Sequence, residues 1–320
     1  MKQLWKDLLF SCMMGLLVPA LILGLAAKLT SNQDRPEEPT VTQIYQQEEE
    51  IIIDVLTDKG VEQMLMDDYL TGVVLAEMPA YFESEAHKAQ AVVARTYTMR
   101  AHLQKPRHEY AAVCTDSGCC QGYISPREYL EKGGTKENIK KIQDAVVSTS
   151  GLVLCYEGEL IEATYFSCSG GYTEDAVAVW GTDVPYLQSV SSPGEEEAAH
   201  YTDTVFFSLQ EFREKLSLPE NDHPERWVRN IIHTNGGGVS EIVICEMTFR
   251  GTEIRKLLNL RSTAFEISYN GTGFEVKTRG FGHRVGMSQY GADAMAASGS
   301  DFREILTHYY QGTQLKQILD

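Results

Sequence analysis

The sequence predicts an α+β fold of mixed helices and antiparallel strands behind one N-terminal transmembrane helix. Three observations predict it. An uncharged run of twenty residues stands near the start of the chain. Beyond it, segments with apolar residues at i, i+3 and i+4 fall in separate blocks from short apolar runs joined by turn residues. No internal repeat at a solenoid period interrupts this order. The length, 320 residues, suffices for two ordinary domains or one large domain with insertions. Lys+Arg 28 against Asp+Glu 45 gives a net charge of −17. So acidic a chain repels phosphate backbones, which argues against a nucleic-acid partner. Hydrophobic residues at 43% and charged residues at 23% exclude wholesale disorder. Seven cysteines are too few for a disulfide-dense scaffold of this size.

Residues 8–27, LLFSCMMGLLVPALILGLAA, carry no charge and match the length a helix needs to cross a bilayer. Pro19 is tolerated in such a helix. Lys2 and Lys6 precede the run and mostly acidic residues follow Lys28, so the positive-inside bias leaves the N-terminus cytoplasmic and the bulk of the chain outside. The run is long for a cleaved signal peptide and lacks a small-x-small cleavage site, which favours a retained anchor. Three regions follow: residues 1–30 as cytoplasmic tip and anchor, 31–50 as an acidic tether, and 51–320 as the folded extracytoplasmic region. The tether reading rests on Pro36, Pro39 and the run Glu48-Glu49-Glu50.

In the folded region, residues 51–56 read as a strand. A helix opens at Asp67-Asp68-Tyr69 and runs to Met78, where Pro79 stops it. An alanine-rich helix covers 83–103, a Gly- and Cys-containing loop follows, and another helix covers 136–149. Residues 152–156 and 160–166 flank a Glu-Gly turn and read as a hairpin. The chain is irregular through 191–199, and a subdomain insertion is expected around 191–239, with a helix at 208–216. Strands are predicted at 239–249 and 264–269, and Asn270-Gly271 turns the chain into a strand at 274–278. The last helix begins at Asp301 with Glu304 three residues on, a capping-box start, and buries Phe302, Ile305, Leu306 and Tyr309.

Glu77 is out of place in this pattern. Leu70, Val73 and Val74 form an apolar stripe, and Glu77 is the next position on it. It also lies in the last helical turn, where the negative end of the helix dipole disfavours a carboxylate. Both effects push a carboxyl towards the protonated form that a general acid needs near neutral pH. A glutamate that turns out to solvent at a frayed helix end, or pairs with a nearby Arg or Lys, is the alternative.

The surroundings of Glu77 carry a resemblance. Ala76-Glu77-Met78-Pro79, then Lys88-Ala89-Gln90-Ala91-Val92-Val93-Ala94-Arg95-Thr96-Tyr97, closely resemble the signature of the stage II sporulation protein D family, which includes amidase-enhancer proteins of Gram-positive cell walls. The resemblance continues at Tyr165-Phe166-Ser167-Cys168-Ser169-Gly170-Gly171, at Val179-Trp180-Gly181 and at Pro185-Tyr186-Leu187. It resumes from Gly280 to Ala292 through Gly282-His283-Arg284-Val285-Gly286, and ends at Tyr309-Tyr310-Gln311-Gly312-Thr313. These motifs stand in family order over nearly the whole of 51–320. The chain departs from the common pattern at Cys168, usually threonine, at Tyr172, often histidine, and at Arg284, usually glycine.

The resemblance implies a peptidoglycan lytic transglycosylase with a glycan-binding cleft. Such an enzyme cleaves between N-acetylmuramic acid and N-acetylglucosamine and leaves a 1,6-anhydromuramoyl end. It implies glycan strands stripped of stem peptides as substrate, and action in septal wall remodelling and engulfment during sporulation. It also implies a sporulation amidase or endopeptidase and a membrane scaffold protein of the engulfment complex as partners. The family's catalytic glutamate maps onto Glu77, and Gln90, Arg95, Tyr165, Ser167, Ser169, His283 and Gln289 become candidates for holding the sugar. Arg95 reads equally well as the structural partner of a buried carboxylate. The alternative from another class is a non-catalytic glycan-binding scaffold that enhances a partner amidase.

His108, Cys114, Cys119 and Cys120 form a separate cluster, H-x5-C-x4-C-C. Three thiolates and one imidazole suit a structural tetrahedral Zn²⁺. Adjacent cysteines are awkward co-ligands, and a Cys114–Cys119 or Cys114–Cys120 disulfide, or free thiols, remain open. Zinc-dependent hydrolysis ranks last, because this ligand set resembles a closed site. Cys155 and Cys245 read as core residues in apolar strands.

Overall fold

A computed structural model describes residues 51–104, 107–199, 201–220 and 222–318. The expected anchor and tether lie outside these described residues, and no helix among them is long and apolar enough to cross a membrane. The described chain is α+β. It opens with a hairpin of β1 (Ile52–Thr57) and β2 (Gly60–Leu65), and leads directly into helix α1 (Met66–Glu77). Residues Tyr69 to Leu75 of α1 are all buried. The helix is therefore enclosed on all sides rather than presenting one apolar stripe. Its two ends emerge: Asp68 is exposed in the first turn, and in the last Ala76 is exposed and Glu77 half-buried. Met78 takes an extended conformation (φ −122°, ψ 138°), as a residue before proline must.

Helix α2 (Ser84–Gln104) is the central strut. Its alanines let α1, β4 and three later helices approach closely. Next come β3 (Val113–Cys114), parallel to β1, and a short capped helix α3 (Pro126–Glu131), which the sequence reading did not include. Helix α4 (Lys136–Val147) packs on α1 and α2. The predicted hairpin is present but short: the strand that turns back on β4 (Leu152–Tyr156) is β5, only Glu159–Leu160. Residues Tyr165–Phe166 form β6, which pairs in parallel with a strand more than a hundred residues later. A one-turn helix α5 (Ala176–Trp180) ends at Gly181 in the left-handed region.

A second layer then builds its own core. It comprises β7 (Thr202–Ser208), α6 (Leu209–Leu216), a 3₁₀ turn at Pro224–Arg226, β8 (Val228–His233), β9 (Val239–Ile244), β10 (Met247–Arg250), α7 (Gly251–Leu257), β11 (Ala264–Tyr269) and β12 (Gly273–Arg279). Two three-stranded antiparallel sheets, ordered β10-β9-β8 and β11-β12-β7, enclose Phe207, Phe212, Trp227, Ile242, Ile254 and Phe274. The Phe212 and Phe274 rings stack at 4.2 Å. The stretch around 191–239 singled out in the sequence contributes β7, α6 and β8, and segments as far as Arg279 complete the layer. The expected single strand over 239–249 is two strands, because Cys245 and Glu246 both adopt positive φ (50° and 62°) and form a two-residue hairpin turn. Cys245 is thus a buried turn residue, while Cys155 is a core residue of β4 as expected.

The chain returns to the first layer through β13 (Met287–Ser288), the partner of β6, then α8 (Gln289–Ala297) and α9 (Phe302–Tyr309). Asp301 and Glu304 make the predicted capping box, and Phe302, Ile305, Leu306 and Tyr309 are buried. Strand β14 (Gln314–Gln317) closes the chain on β4. The cores of the first layer gather around Val92, Val93, Leu154, Ile161, Val285 and Met287. Burying side chains of this size at about 1.5–3 kcal/mol each fixes α2 against β6 and β13. That join brings Glu77, Tyr165 and Gln289 to one cleft.

Candidate active site

A cleft of about 1130 Å³ opens where α1 ends, bounded by the loop before α3, by β6 and by the turn at 281–283. Its lining includes Glu77, Tyr97, Gln121, Tyr165, Phe166, Ser167, Trp180, His283 and Gln289. The Glu77 carboxylate is held from below: the Gly122 backbone N–H donates to Oε1 at 2.6 Å. A charge-assisted bond of this kind is worth about 1.5–3 kcal/mol and fixes where the carboxylate sits.

Two glycines make that contact geometrically available. A Cβ at Gly72 would lie 2.2 Å from the Tyr123 ring, so only glycine lets the loop lie along α1, where Ile124 N–H donates to the Gly72 carbonyl at 3.1 Å. Tyr123 also stacks on Tyr69, with centroids 5.7 Å apart and planes 9° apart. A Cβ at Gly122 would stand 2.9 Å from Glu77 Oε1.

The Tyr165 hydroxyl lies against Glu77 and 3.4 Å from Gln121 Oε1. Burial, with the neighbouring Glu77 charge, pushes its ionisation well above the usual tyrosine range, so it stays a neutral donor. Gln121 is buried; its Nε2 donates to Thr98 Oγ1 at 3.0 Å and lies 3.5 Å from the Tyr69 hydroxyl. Tyr69 in turn reaches the Cys114 carbonyl at 3.4 Å. A continuous polar network therefore runs beneath the carboxylate to the cysteine loop.

His283 packs its ring against Phe166 and Trp180, each at 5.6 Å. Burial, reinforced by Arg255, lowers its pKa to about 4. At neutral pH it is uncharged, with Nδ1 accepting the Val285 N–H at 3.1 Å. Gln289 is buried at the cleft with its Nε2 unpartnered among the described residues. Ser167 lines the same wall.

Three other candidates lie elsewhere. Gln90 is fully buried in α2, away from the cleft lining, and neither of its amide atoms has a partner among the described residues. Arg95 is buried and committed to structure: its guanidinium donates to Asp67 Oδ1 at 3.2 Å and to the carbonyls of Val146, Thr149 and Leu152. It takes the structural alternative and ties α1 to the end of α4. Ser169 is buried too, donating from both N and Oγ to Glu195 Oε2 at 2.7 and 2.8 Å. It shapes the turn that carries Ser167 rather than the cleft itself. The residues missed by the sequence reading are Gly122, Gln121, Trp180, Tyr97, Arg100, Arg107 and Glu162. Of these, Tyr97 and Trp180 stand inside the quoted motifs, and the rest carry no sequence signal.

Arg284 explains one departure from the family pattern. Its φ is 67°, a conformation glycine adopts at no cost, which fits the glycine that the resemblance leads one to expect there. The guanidinium compensates, donating to Glu174 Oε1 at 3.0 Å and to the carbonyls of Ser169, Tyr172 and Gly236. It thereby fastens the 169–172 turn to the second layer.

His108, Cys114, Cys119 and Cys120 place their four ligand atoms within 4.8 Å of one another. Cys119 and Cys120 Sγ lie 3.8 and 3.5 Å from His108 Nε2 and 4.0 Å from each other. A tetrahedral Zn²⁺ with bonds of about 2.0–2.3 Å spaces its ligands at about 3.5–3.8 Å, so the donor set fits. Adjacent cysteines converge because the Cys119 and Cys120 N–H groups both donate to the Asp116 carbonyl, which curls the loop round one point. All described cysteines are free, so neither disulfide alternative is adopted.

Comparison with known proteins places this site in context. Residues 57–156 match the family whose description is Stage II sporulation protein. The chain is 37% identical to Stage II sporulation protein D of Bacillus subtilis (strain 168), over 99% of this chain and 96% of that one. It is 39% identical to Stage II sporulation protein D of Bacillus amyloliquefaciens, over 82% and 77%. It is 28% identical to the Amidase enhancer of Bacillus subtilis (strain 168), over 77% of this chain and 40% of that protein.

Proposed function

The chain belongs to the stage II sporulation protein D family, and from that premise we propose that it is a peptidoglycan lytic transglycosylase with Glu77 as its single acid and base. The observation that carries this is one oriented carboxylate in the cleft with no cationic partner among the described residues. The other cleft carboxylate, Glu162, is engaged by Arg100 and Arg107. Hydrolysing glycosidases pair two carboxyl groups across the scissile bond. Here one suffices when the nucleophile is part of the substrate. Protonated Glu77 donates its proton to the glycosidic oxygen as the C1–O bond breaks. The resulting carboxylate takes the proton from the muramoyl C6 hydroxyl as O6 bonds to C1. The proton count on Glu77 is restored, no water is consumed, and a 1,6-anhydro end results. The Tyr165 hydroxyl and the Gly122 N–H steady the carboxylate between the two transfers. Phe166, Trp180 and the neutral His283 offer ring surface for a sugar, while Ser167 and Gln289 offer hydrogen bonds.

The cysteine loop suits a structural Zn²⁺, held by His108, Cys114, Cys119 and Cys120. When bound, it supplies a closed cross-link that keeps Gln121 and Gly122 under Glu77. The reading places the protein in wall remodelling and engulfment during sporulation, anchored through residues 8–27 with its folded region outside the membrane. Its substrate is then glycan strands stripped of stem peptides, and its partners a sporulation amidase and a membrane scaffold protein. The amidase-enhancer relative favours a second reading, a glycan-binding scaffold without turnover.

Mass spectrometry of denuded glycan strands, incubated with the full chain in detergent beside Glu77→Gln, separates the two. Anhydromuramoyl ends formed by the wild type alone support the transglycosylase. Reducing ends point to hydrolysis. Strand binding without cleavage by either protein supports the scaffold.

A further inference from the structure

Along one wall of the cleft, a cationic group takes no part in the chemistry above. Arg100, near the end of α2, donates through Nη1 to Glu162 Oε2. Arg107, in the following loop, brings Nη2 to 3.7 Å from Glu162 Oε1. Arg107 also donates to the Cys119 carbonyl at 3.1 Å, and its guanidinium lies 5.2 Å over the Tyr97 ring. Beside them a side alcove of about 170 Å³ is lined by Tyr97, Arg100, Gln104, Arg107 and Glu162. Four of these also line the main cleft, so the alcove opens from it.

The charge balance is uneven. Two guanidiniums share one carboxylate, which leaves a surplus positive charge in a chain whose net charge is −17. Both side chains stay accessible, at 36% and 46% exposure, while the Arg100 Nε atom, itself buried, has no acceptor among the described residues. A planar guanidinium with spare N–H groups matches a carboxylate in two-point geometry, and a stacked Arg107 is held in place for it. Structural pairing with Glu162 needs only one arginine.

We propose that this alcove binds a carboxylate carried by the sugar strand itself, and so reads whether a muramoyl residue has lost its peptide. The inference rests on the peptidoglycan reading of the cleft. Muramic acid bears a lactyl group on O3. Its acid carbon is an uncharged amide while a stem peptide is attached, and a carboxylate once the peptide is gone. The alcove has the space of about six water molecules, room for a three-carbon acid, and the guanidiniums favour the free carboxylate over the uncharged amide by charge. The class of reaction that must supply this substrate is hydrolysis of the lactyl amide: water breaks the C–N bond, leaving the carboxylate on the sugar and the amine on the departing peptide.

The test uses the full chain carrying Glu77→Gln, so that strands bind without turnover, with and without Arg100→Gln and Arg107→Gln. Three probes are titrated: denuded strands, strands with intact stem peptides, and uncharged chitin oligosaccharides. We expect the double variant to bind denuded strands about tenfold more weakly or worse, with a flatter salt dependence. Its affinity for chitin oligosaccharides should stay within about twofold. If the double variant melts early, Arg107→Gln alone, at the more exposed position, carries the test. A preference for denuded strands that survives these substitutions, or equal losses on all three probes, overturns the assignment and leaves the transglycosylase standing. Failure of the parent to bind any glycan overturns both.

Discussion

Gly122→Ala tests how Glu77 is held. Gly122 has no left-handed backbone requirement, so alanine fits the chain path, and its N–H remains to donate. The new methyl, however, stands 2.9 Å from Glu77 Oε1 and 3.4 Å from Cδ. Its other close neighbour, Ser117 Cβ at 3.5 Å, is at ordinary contact distance. The strain therefore falls on the free end of one flexible side chain, and the carboxylate must retreat by about half an ångström or more. Displacements approaching 1 Å in a reacting group cost up to about 10²-fold in rate. We expect turnover of denuded strands to fall about tenfold to a hundredfold, which corresponds to about 1.4–2.7 kcal/mol in the barrier. Strand affinity and the thermal midpoint should change little. The assay is release of anhydromuramoyl ends under saturating strand, paired with a thermal melt and a binding titration. Unchanged turnover in a folded protein refutes the claim that Gly122 sets the carboxylate. Loss of folding refutes the claim that the strain is confined to Glu77.

Three further outcomes follow from the same geometry. Arg284→Ala strands the Glu174 carboxylate in a site only 1% exposed, so stability should drop by about 3–5 kcal/mol and the melting midpoint by about 10 °C; a shift under about 2 °C refutes the pairing argument. Purified chain should carry one zinc by elemental analysis, Cys120→Ser should lose it, and hydrogen exchange at the Gly122 amide should accelerate. Exchange that ignores the metal refutes the link between loop and carboxylate. Burial lowers the pKa of both His87 and His283 to about 4, so the folded state holds fewer protons than the unfolded one below pH 6.5. Their contribution is fully present above that pH and is lost as pH falls towards 4, at about 1.4 kcal/mol per unit for His87; His87→Gln should flatten the slope of stability against pH measured by denaturant melts.

Local signals in the sequence were read well because they are local. The Pro79 stop, the Asp301 capping box and the Asn270-Gly271 turn each depend on residues within four positions, and each is present. Glu77 is marked by its motif more than by its periodicity. Periodicity placed it on an apolar face, whereas α1 is buried all round and the carboxylate reaches the cleft because the helix ends there. What could not be read is long-range. Gly122 meets Glu77 across 45 residues, β6 meets β13 across more than a hundred, and Glu195 grips Ser169 across 26. A glycine or a glutamate in a polar loop has no periodicity to betray its partner. Gln90 and Arg95 misled for the opposite reason: they lie in the most recognisable stretch of the chain, but α2 is the strut of the fold, and both side chains are buried in it.

The charge distribution bears on how such a cleft is filled. A chain of net charge −17 is repelled by an anionic wall over most of its surface, and the cationic alcove is too small to steer from a distance beyond the Debye length of about 8 Å. Capture must then depend on short-range contacts and on being held near the substrate. The anchor proposed for residues 8–27 would supply the second, replacing free encounter by a local concentration of up to about a millimolar. Deleting residues 1–50 should leave turnover of short soluble strands unchanged, since every cleft residue lies beyond Glu77 or at it. In sporulating cells the same deletion, exported by a cleavable signal, should lower wall cleavage at equal protein abundance by about tenfold or more. Equal activity of tethered and free protein in cells would show that the cleft captures strands unaided, and the argument from charge would fail.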